Sequence, residues 1–336
     1  MTNAPKKKTG LKDLLMRLGP ALALILMFIV FAIVMPGKFL RVGNLMNVLK
    51  QASINCMIGA GMLLCLITAG IDLSVGYNTT LACCMIGVLL NMGVTSPFIL
   101  IPVALGVSTF AGFINGTLLT RLELPHPFVS TLGMKNILWG LALLVTGSTS
   151  IGLYNKGIDS TLYLGSATIF SFGLPISFIL VLVVYAIFHV FLNHTALGRQ
   201  IYCVGGNAEA ARLSGIRSKN VLTIVYTISG FMCGIAGVIL AGRVASANPN
   251  SGATYDTDAI AACIIGGASF SGGKGTIWGT LIGALLIAII RNGLNLMGTS
   301  NDVQYIVIGA VIILSVTIDV MRGKIEAKAR KMAAAE

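Results

Sequence analysis

Apolar runs of about 20 residues recur along the whole chain, and they restrict the fold more than any other feature. A helical run of that length spans the hydrocarbon core of a bilayer. Of the 336 residues, 56% are apolar and only 10% are charged, with a mean hydropathy of +0.90. Soluble domains carry about 25% charged residues. The runs also lack the alternation of an outer-membrane barrel. The sequence therefore predicts an all-α, polytopic protein embedded in a lipid membrane.

About ten transmembrane helices are predicted. They cover 20–36, 52–70, 73–92, 97–120, 128–147, 174–192, 221–242, 258–270, 275–296 and 303–320. The eighth run is short and rich in glycine, so we expect it to be half-inserted or broken. A basic tail (1–19) precedes the transmembrane domain (20–320), and a second basic tail (321–336) follows it.

The basic residues predict the orientation, because inner loops of membrane proteins carry an excess of lysine and arginine. With both termini in the cytoplasm, seventeen of the 23 lysines and arginines fall on the inner side, counting Lys135. The remaining six fall outside. The net charge of +12 thus reflects orientation in a membrane and does not indicate a nucleic-acid partner.

Two pairs of segments look alike within the chain. Residues 70–76 and 267–273 both have the pattern G-x-x-x-S-x-G after an apolar run. Alternatively, 68–87 aligns with 240–266, which joins runs of opposite direction as an inverted repeat does. Glycine-rich helices also produce such matches by chance, so the sequence leaves both an inverted repeat and coincidence open.

Residues 193–220 form a polar, basic segment between two apolar runs, which is the character of a cytoplasmic loop. Within it, 208–214 favours a short helix with Asn207 as its N-cap and Glu209 in its first turn. Gly215 is placed to end the helix. Such a helix could be a docking surface for a cytoplasmic partner or an ordinary loop held at the lipid headgroups.

Asp72 lies between two apolar runs, where an acid is costly unless it is paired, capping or functional. Gly70, Ser74 and Gly76 around it favour an irregular backbone. Asp72 could cap the next helix, near the positive end of its dipole. It could instead line a pore or a gate in a broken helix.

A polar, glycine-rich stretch covers 242–279. Its first part, to Asp258, is predicted to face outward together with Asp256. Its second part contains Ser269, Ser271 and the string SFSGGKGT, which is not a nucleotide-binding loop. The required G-x-x-x-x-G-K-[ST] spacing needs glycine at 268 and serine or threonine at 275, where the chain has Ala268 and Gly275.

Three motifs resemble the permease subunits of ABC importers for sugars of the ribose/galactose/xylose type, and the resemblance covers about 20–322. They are G-N-x-E-A-A-x-x-S-G-I in 206–216, G-x-D-L-S-V-G in 70–76, and the D-A-I-A-A run from 258 onward with its G-G-x-S-F-x-G-G-x-G continuation. The resemblance implies a pore for a monosaccharide in the bacterial cytoplasmic (inner) membrane, working by alternating access. It implies three partners: an ABC ATPase subunit, an extracytoplasmic sugar-binding protein and a second permease, either a copy or a paralogue. The ATPase-coupling residues it implies are Gly206, Asn207, Glu209, Ala210, Ala211, Ser214 and Gly215. The pore or gate candidates are Asp72, Ser74, Asp258, Ser269 and Ser271.

The alternative is a self-contained secondary carrier or channel for a small polar solute. A proton-coupled carrier usually needs buried acids or histidines, whereas Lys135, Arg291 and Asp319 are predicted to lie near the ends of their runs. No catalytic, cofactor-binding or metal-binding constellation is apparent in the sequence. We therefore predict a subunit that is not an enzyme and binds no cofactor, with ATP bound by its partner.

Overall fold

The computed structural model describes residues 11–122, 124 and 126–333, and most of them are helical. The predicted tails therefore lie partly outside the described residues, which exclude 1–10 and 334–336. The helices are α1 (Leu11–Val34), α2 (Pro36–Phe39), α3 (Val42–Ile67), α4 (Val75–Asn91), α5 (Pro97–Arg121), α6 (Pro127–Thr146), α7 (Asp159–Ser166), α8 (Ile176–His194), α9 (Ala196–Gly206), α10 (Ala208–Leu213), α11 (Ser218–Val244), α12 (Tyr255–Ile265), α13 (Ile277–Leu296) and α14 (Asn301–Ala333).

Each predicted transmembrane run overlaps one of these helices. Six helices (α3, α5, α6, α8, α11 and α13) are long and apolar enough to cross a membrane, and shorter apolar stretches cover Gly19–Val34, Val75–Asn91 and Asp302–Thr317. The second run begins ten residues earlier than predicted, at Val42. Polar side chains in these added turns bond to other parts of the chain. Lys50 donates to the carbonyl of Ser166 (2.8 Å), and the side-chain amides of Asn44 and Asn292 pair with each other.

The described residues are mostly helical, as the sequence predicts, and two short antiparallel ribbons join helices. Strand β1 (Ile151–Gly152) pairs with β4 (Ser246–Ala247), and β2 (Thr168–Ile169) pairs with β3 (Leu174–Pro175). Each strand has only two residues, which is too short to produce an alternating pattern in the sequence. The first ribbon matters for the site, since it fixes the start of the segment that leads into α12.

Helix α3 is the centre of the bundle, and every residue from Ala52 to Ile67 is buried. A helix that is apolar on all sides belongs in such a position. Helix α11 packs beside it, and α5 approaches α11 closely through Gly112 and Gly230. A Cβ atom on Gly112 would lie 2.4 Å from the backbone oxygen of Tyr226, so only glycine allows this contact. Small residues bring membrane helices together in this way.

Two irregular segments enter the bundle and end where helices begin. The first, 68–74, links α3 to α4. The second, 245–254, links α11 to α12 and lies along α4. Ala247 of this segment lies against Gly87 of α4, and Gly252 lies against Gly76 of α4. The two contacts are about 16 Å apart along α4. An irregular backbone at this depth has to be buried in protein or line a cavity.

The N-termini of α4 and α12 meet inside the bundle. A Cβ atom on Gly76, the second residue of α4, would lie 3.4 Å from the backbone nitrogen of Asp256, the second residue of α12. Helix α12 has 11 residues and is therefore about 16 Å long, about half the hydrocarbon thickness. The short helix agrees with a broken eighth run, and its half-insertion in a membrane stays a prediction.

Candidate functional site

The short helix α10 has the ends that the sequence predicts. The side-chain oxygen of Asn207 accepts a hydrogen bond from the backbone N–H of Ala210 (3.0 Å). At the other end, Gly215 has a φ of +83°, and the N–H of Ile216 donates to the carbonyl of Ala211 (3.0 Å). This is the glycine-terminated pattern that closes a helix with its last carbonyls satisfied. The helix ends at Leu213, one residue before the predicted end.

The outer surface of α10 carries one exposed ion pair and one exposed apolar side chain. Arg212 donates to both carboxylate oxygens of Glu209 (2.6 and 3.0 Å). That contact lowers the pKa of the Glu209 carboxyl and raises the pKa of Arg212. Exposed pairs of this kind contribute little to stability. Leu213 beside them is 76% exposed. Among the predicted coupling residues, Ala211 is buried and Gly206, Asn207, Glu209, Ala210, Ser214 and Gly215 are exposed.

Helix α9 connects α10 to the centre of the bundle, and this connection was not predicted. Its end is pressed against the last residue of α3, because a Cβ atom on Gly205 would lie 1.6 Å from the carbonyl oxygen of Ile67. The same oxygen accepts a hydrogen bond from the N–H of Gly273 (2.8 Å). The hydroxyl of Tyr202 donates to the carbonyl of Gly275 (2.8 Å). In the sequence, the glycine pairs at 205–206 and 272–273 are the feature that indicates such close packing.

Asp72 is buried and its carboxylate holds the irregular 68–74 segment against α11. One oxygen accepts from the N–H (3.0 Å) and the hydroxyl (2.6 Å) of Ser74, and the other accepts from the hydroxyl of Ser229 on α11 (3.0 Å). Asn115 donates in turn to the Ser74 hydroxyl (2.8 Å). The N-cap residue of α4 is Ser74 and no side-chain cap bond forms there, so Asp72 orders the turn before α4 and does not itself cap the helix. Its role in a pore stays a prediction.

Two ion pairs lie inside the bundle at the start of α12. Asp256 pairs with Lys135 of α6 (2.5 Å), and both oxygens of Asp258 accept from Arg291 of α13 (2.7 and 2.9 Å). Both acids are 1% exposed. Asp256 and Asp258 are thus buried in the bundle and do not lie in an exposed loop, because the segment before them follows α4 inward, and the outer side of that segment stays a prediction.

The expected place of Lys135 and Arg291 near helix ends is wrong too. Lys135 is the ninth of 20 residues in α6, and Arg291 is the fifteenth of 20 in α13. Each is neutralised by an acid that is distant in sequence, which reduces the cost of charge at membrane depth. The described residues thus include buried acids, and the scarcity of charge no longer argues against ion coupling.

The five pore candidates do not form one site in this structure. Asp258 lies in the first turn of α12, whereas Ser269 and Ser271 follow its last turn, so about 10 Å of helix separates them. Ser271 is exposed and Ser269 is half-buried. The N–H of Ser269 donates to the carbonyl of Lys274 (3.1 Å), which closes the turn that contains both serines. This turn packs on the start of the 68–74 segment, where a Cβ atom on Gly272 would lie 2.8 Å from the Cβ of Ala69.

Cysteine, histidine and acidic side chains do not cluster for metal binding within the described part of the chain. Six of the seven cysteines are buried in α3, α4, α11 and α12, and Cys203 on α9 is exposed. Buried thiols of this kind pack as small apolar groups in the helices. The chemistry available at the site is therefore hydrogen bonding and charge pairing.

Comparison with known proteins gives a consistent assignment. Residues 44–316 match the family described as "Branched-chain amino acid transport system / permease component". The chain is 37% identical to the ribose import permease protein of Bacillus subtilis, over 94% of this chain and 96% of that protein. It is 36% identical to the fructose import permease protein of Rhizobium meliloti, over 89% of this chain and 84% of that protein.

Two further proteins complete the comparison. The chain is 33% identical to the galactose/methyl galactoside import permease protein of Escherichia coli, over 90% of this chain and 94% of that protein. One solved structure is described as an inward-facing conformation of a putative metal-chelate type ABC transporter. It aligns over 94% of this chain and 99% of that chain, at 11% identity and a TM-score of 0.49, and carries no argument here. The family match and the curated relatives confirm the resemblance, and the chain belongs to the family of permease subunits of ABC importers, which are transport proteins and not enzymes.

Proposed function

We propose that this chain forms the pore of an ABC importer that carries a monosaccharide across a bacterial cytoplasmic membrane. The observation that carries the proposal is the set of curated relatives, whose names specify import of ribose, fructose, allose and galactose. The family model's description names branched-chain amino acids instead. We follow the relatives, because they match about nine-tenths of this chain at 33–37% identity.

The proposed topology has ten crossings with both termini in the cytoplasm. The excess of inner lysine and arginine supports it. In this topology α9 and α10 lie on the cytoplasmic side, between α8 and α11. The irregular segments 68–74 and 245–254 then enter from opposite sides and end at helix N-termini that meet. This supports the inverted repeat of 68–87 and 240–266, since transporters built from such repeats place broken helices at the midplane.

The proposed partners are an ATPase below, a sugar-binding protein outside and a second permease, either a copy or a paralogue. The ATPase would contact α10 at Glu209, Arg212 and Leu213. Movement of α10 would pass through α9 to the contact between Gly205 and Ile67. That contact adjoins both the α3–α4 break and the α12–α13 turn, so a rigid displacement of α9 would reach both broken elements together. ATP would be bound by the partner alone.

The pore candidates fall into two groups with different proposed roles. Asp72 and Ser74 lie in the α3–α4 break, and Ser269 and Ser271 lie in the turn that packs on it, so we propose these four for an inner gate. Asp258 lies deeper, paired with Arg291, and is proposed to hold α12 and α13 as one body. A rigid pair of helices suits transport by rocking of packed elements.

Copurification tests this proposal against a self-contained carrier. The tagged chain, expressed together with an ABC ATPase and a sugar-binding protein of its own organism, should bring the ATPase with it in detergent. Glu209→Lys and Gly215→Trp should weaken ATPase recruitment or coupling while the chain still inserts, because α10 lies outside the helix bundle. Recovery of the chain without an ATPase, or unchanged coupling in both variants, would refute it.

A further inference from the structure

One face of α6 combines aromatic, amide and charged side chains at a depth where lipid would exclude them. Lys135 and Trp139 are one turn apart, about 12 and 18 Å along a helix about 30 Å long. Trp139 is 38% exposed, the Lys135 side chain is 24% exposed, and Asn136 between them is exposed. Ionisable and amide groups at membrane depth face protein or water. This face therefore lines an aqueous path or a protein contact.

The Trp139 ring is held in a fixed position. It stacks on the buried ring of Tyr77 in α4, with centroids 5.4 Å apart and planes 26° apart. Its indole N–H donates to the side-chain oxygen of Asn250 (3.1 Å), in the irregular segment that lies along α4. One face of the indole thus rests on Tyr77 and its edge is anchored, which leaves the other side of the ring available for contact.

Hydrogen-bonding groups surround this ring. Lys135 binds one oxygen of Asp256, and the other oxygen, Oδ1, is buried without a hydrogen-bond donor among the described residues. A buried carboxylate oxygen of this kind favours a hydroxyl or water partner. Asn250 is exposed and its amide nitrogen is not used in the contact with Trp139. Asp256 is too buried to meet a ligand directly and holds Lys135 in place. The combination of a flat aromatic surface with amides and an ammonium group matches a sugar ring, which has apolar C–H faces and a polyhydroxylated rim.

We infer that Trp139, with Lys135, Asn136 and Asn250 around it, forms a monosaccharide contact site on the translocation path. The inference rests on the proposed function and adds a specific location to it. The ring would stack on the C–H face of the sugar, while the amides and Lys135 contact its hydroxyls. The site lies where the N-termini of α4 and α12 meet, so a sugar there would touch both broken elements.

The chain contains two tryptophans, which supplies a matched control. Trp278 of α13 is 39% exposed, close to the exposure of Trp139, and packs near Tyr185 and His189. Uptake of D-ribose, D-fructose, D-allose and D-galactose should be measured with the full complex in proteoliposomes. Trp139→Leu should lower uptake of the transported sugar at least about tenfold, with complex yield and ATPase activity within about twofold. Trp139→Phe keeps a ring and should retain about a third of the uptake or more, and Trp278→Phe should be unchanged.

A second readout does not depend on transport. In the purified Trp278→Phe chain without its partners, the only tryptophan is Trp139, so the fluorescence should change on adding the transported sugar and not on adding L-glucose. If the wild-type complex takes up sugar and Trp139→Leu takes it up equally well, the site is refuted and the proposed function stands. A parallel loss of complex yield would make Trp139 an interface residue and also refute the site. Absence of any sugar uptake by the wild-type complex would refute the proposed function, and the site with it.

Discussion

Gly205 and Gly206 end α9 side by side, and they provide a matched pair of variants for the connection between α10 and the bundle. A Cβ atom at 205 would lie 1.6 Å from the carbonyl oxygen of Ile67, whereas a Cβ atom at 206 would have no neighbour within 4 Å. Alanine at either position adds at most about 1 kcal/mol of helix propensity. Gly205→Ala therefore introduces a clash that Gly206→Ala avoids.

The size of the effect follows from the geometry. Cβ contacts essentially never fall below 3.0 Å, so α9 has to move by at least about 1.4 Å from its 1.6 Å position. That displacement disturbs the hydrogen bond from Gly273 to Ile67, which is worth about 0.5–1.5 kcal/mol. Overpacking adds about 1–3 kcal/mol. After the gain in helix propensity, we expect Gly205→Ala to lower the free energy of unfolding by about 1–4 kcal/mol.

Two measurements on the purified complex check this expectation. Thermal unfolding in detergent should show a lower midpoint for Gly205→Ala and an unchanged or higher midpoint for Gly206→Ala. Sugar taken up per ATP hydrolysed should fall for Gly205→Ala, because α9 no longer transmits movement to Ile67, and should stay normal for Gly206→Ala. If the two alanine variants behave alike in both assays, the proposed transmission through Gly205 is refuted.

Three further predictions address the buried charges and the topology. Asp72→Asn should cost about 1 kcal/mol and keep near-normal uptake, because the asparagine oxygen can still accept both bonds from Ser74 while its amide donates to the Ser229 hydroxyl; severe loss of uptake in an intact complex would place the carboxylate on the path instead. Arg291→Met should lower stability in a thermal melt by about 3–5 kcal/mol by leaving Asp258 buried and unpaired, and adding Asp258→Asn should restore most of it; an unchanged melt contradicts this. In a background without native cysteines, Lys219→Cys should react with an impermeant thiol reagent only in opened cells, and Lys156→Cys in intact cells with a permeable outer barrier, because both side chains are exposed; the reverse pattern would invert the topology.

The positions of the helices and the ends of α10 could be predicted because their causes are local. A hydrophobic run of sufficient length determines a membrane helix by itself. Asn207 and Gly215 sit within a few residues of the backbone groups that they affect. The short eighth run was recognised as broken from its length and its glycines, and α12 is indeed an 11-residue helix.

The ion pairs could not be predicted because their partners are distant in sequence. Lys135 and Asp256 are 121 residues apart, and nothing near either residue identifies the other. A lone charge in an apolar run was therefore interpreted as lying near a helix end. The burial of Asp256 was missed for the same reason. The contact of Gly252 with Gly76 brings the segment into the bundle, and two glycines are its only local signal.

The central claim is that this chain is an ATP-driven sugar pore, and uptake into proteoliposomes tests it most directly. The purified chain with its ATPase and binding protein should accumulate a labelled monosaccharide when ATP and Mg²⁺ are supplied to the ATPase. Uptake should stop with a non-hydrolysable ATP analogue and should persist when ion gradients are dissipated. Uptake that needs an ion gradient and proceeds without the ATPase would show a self-contained carrier and contradict the account.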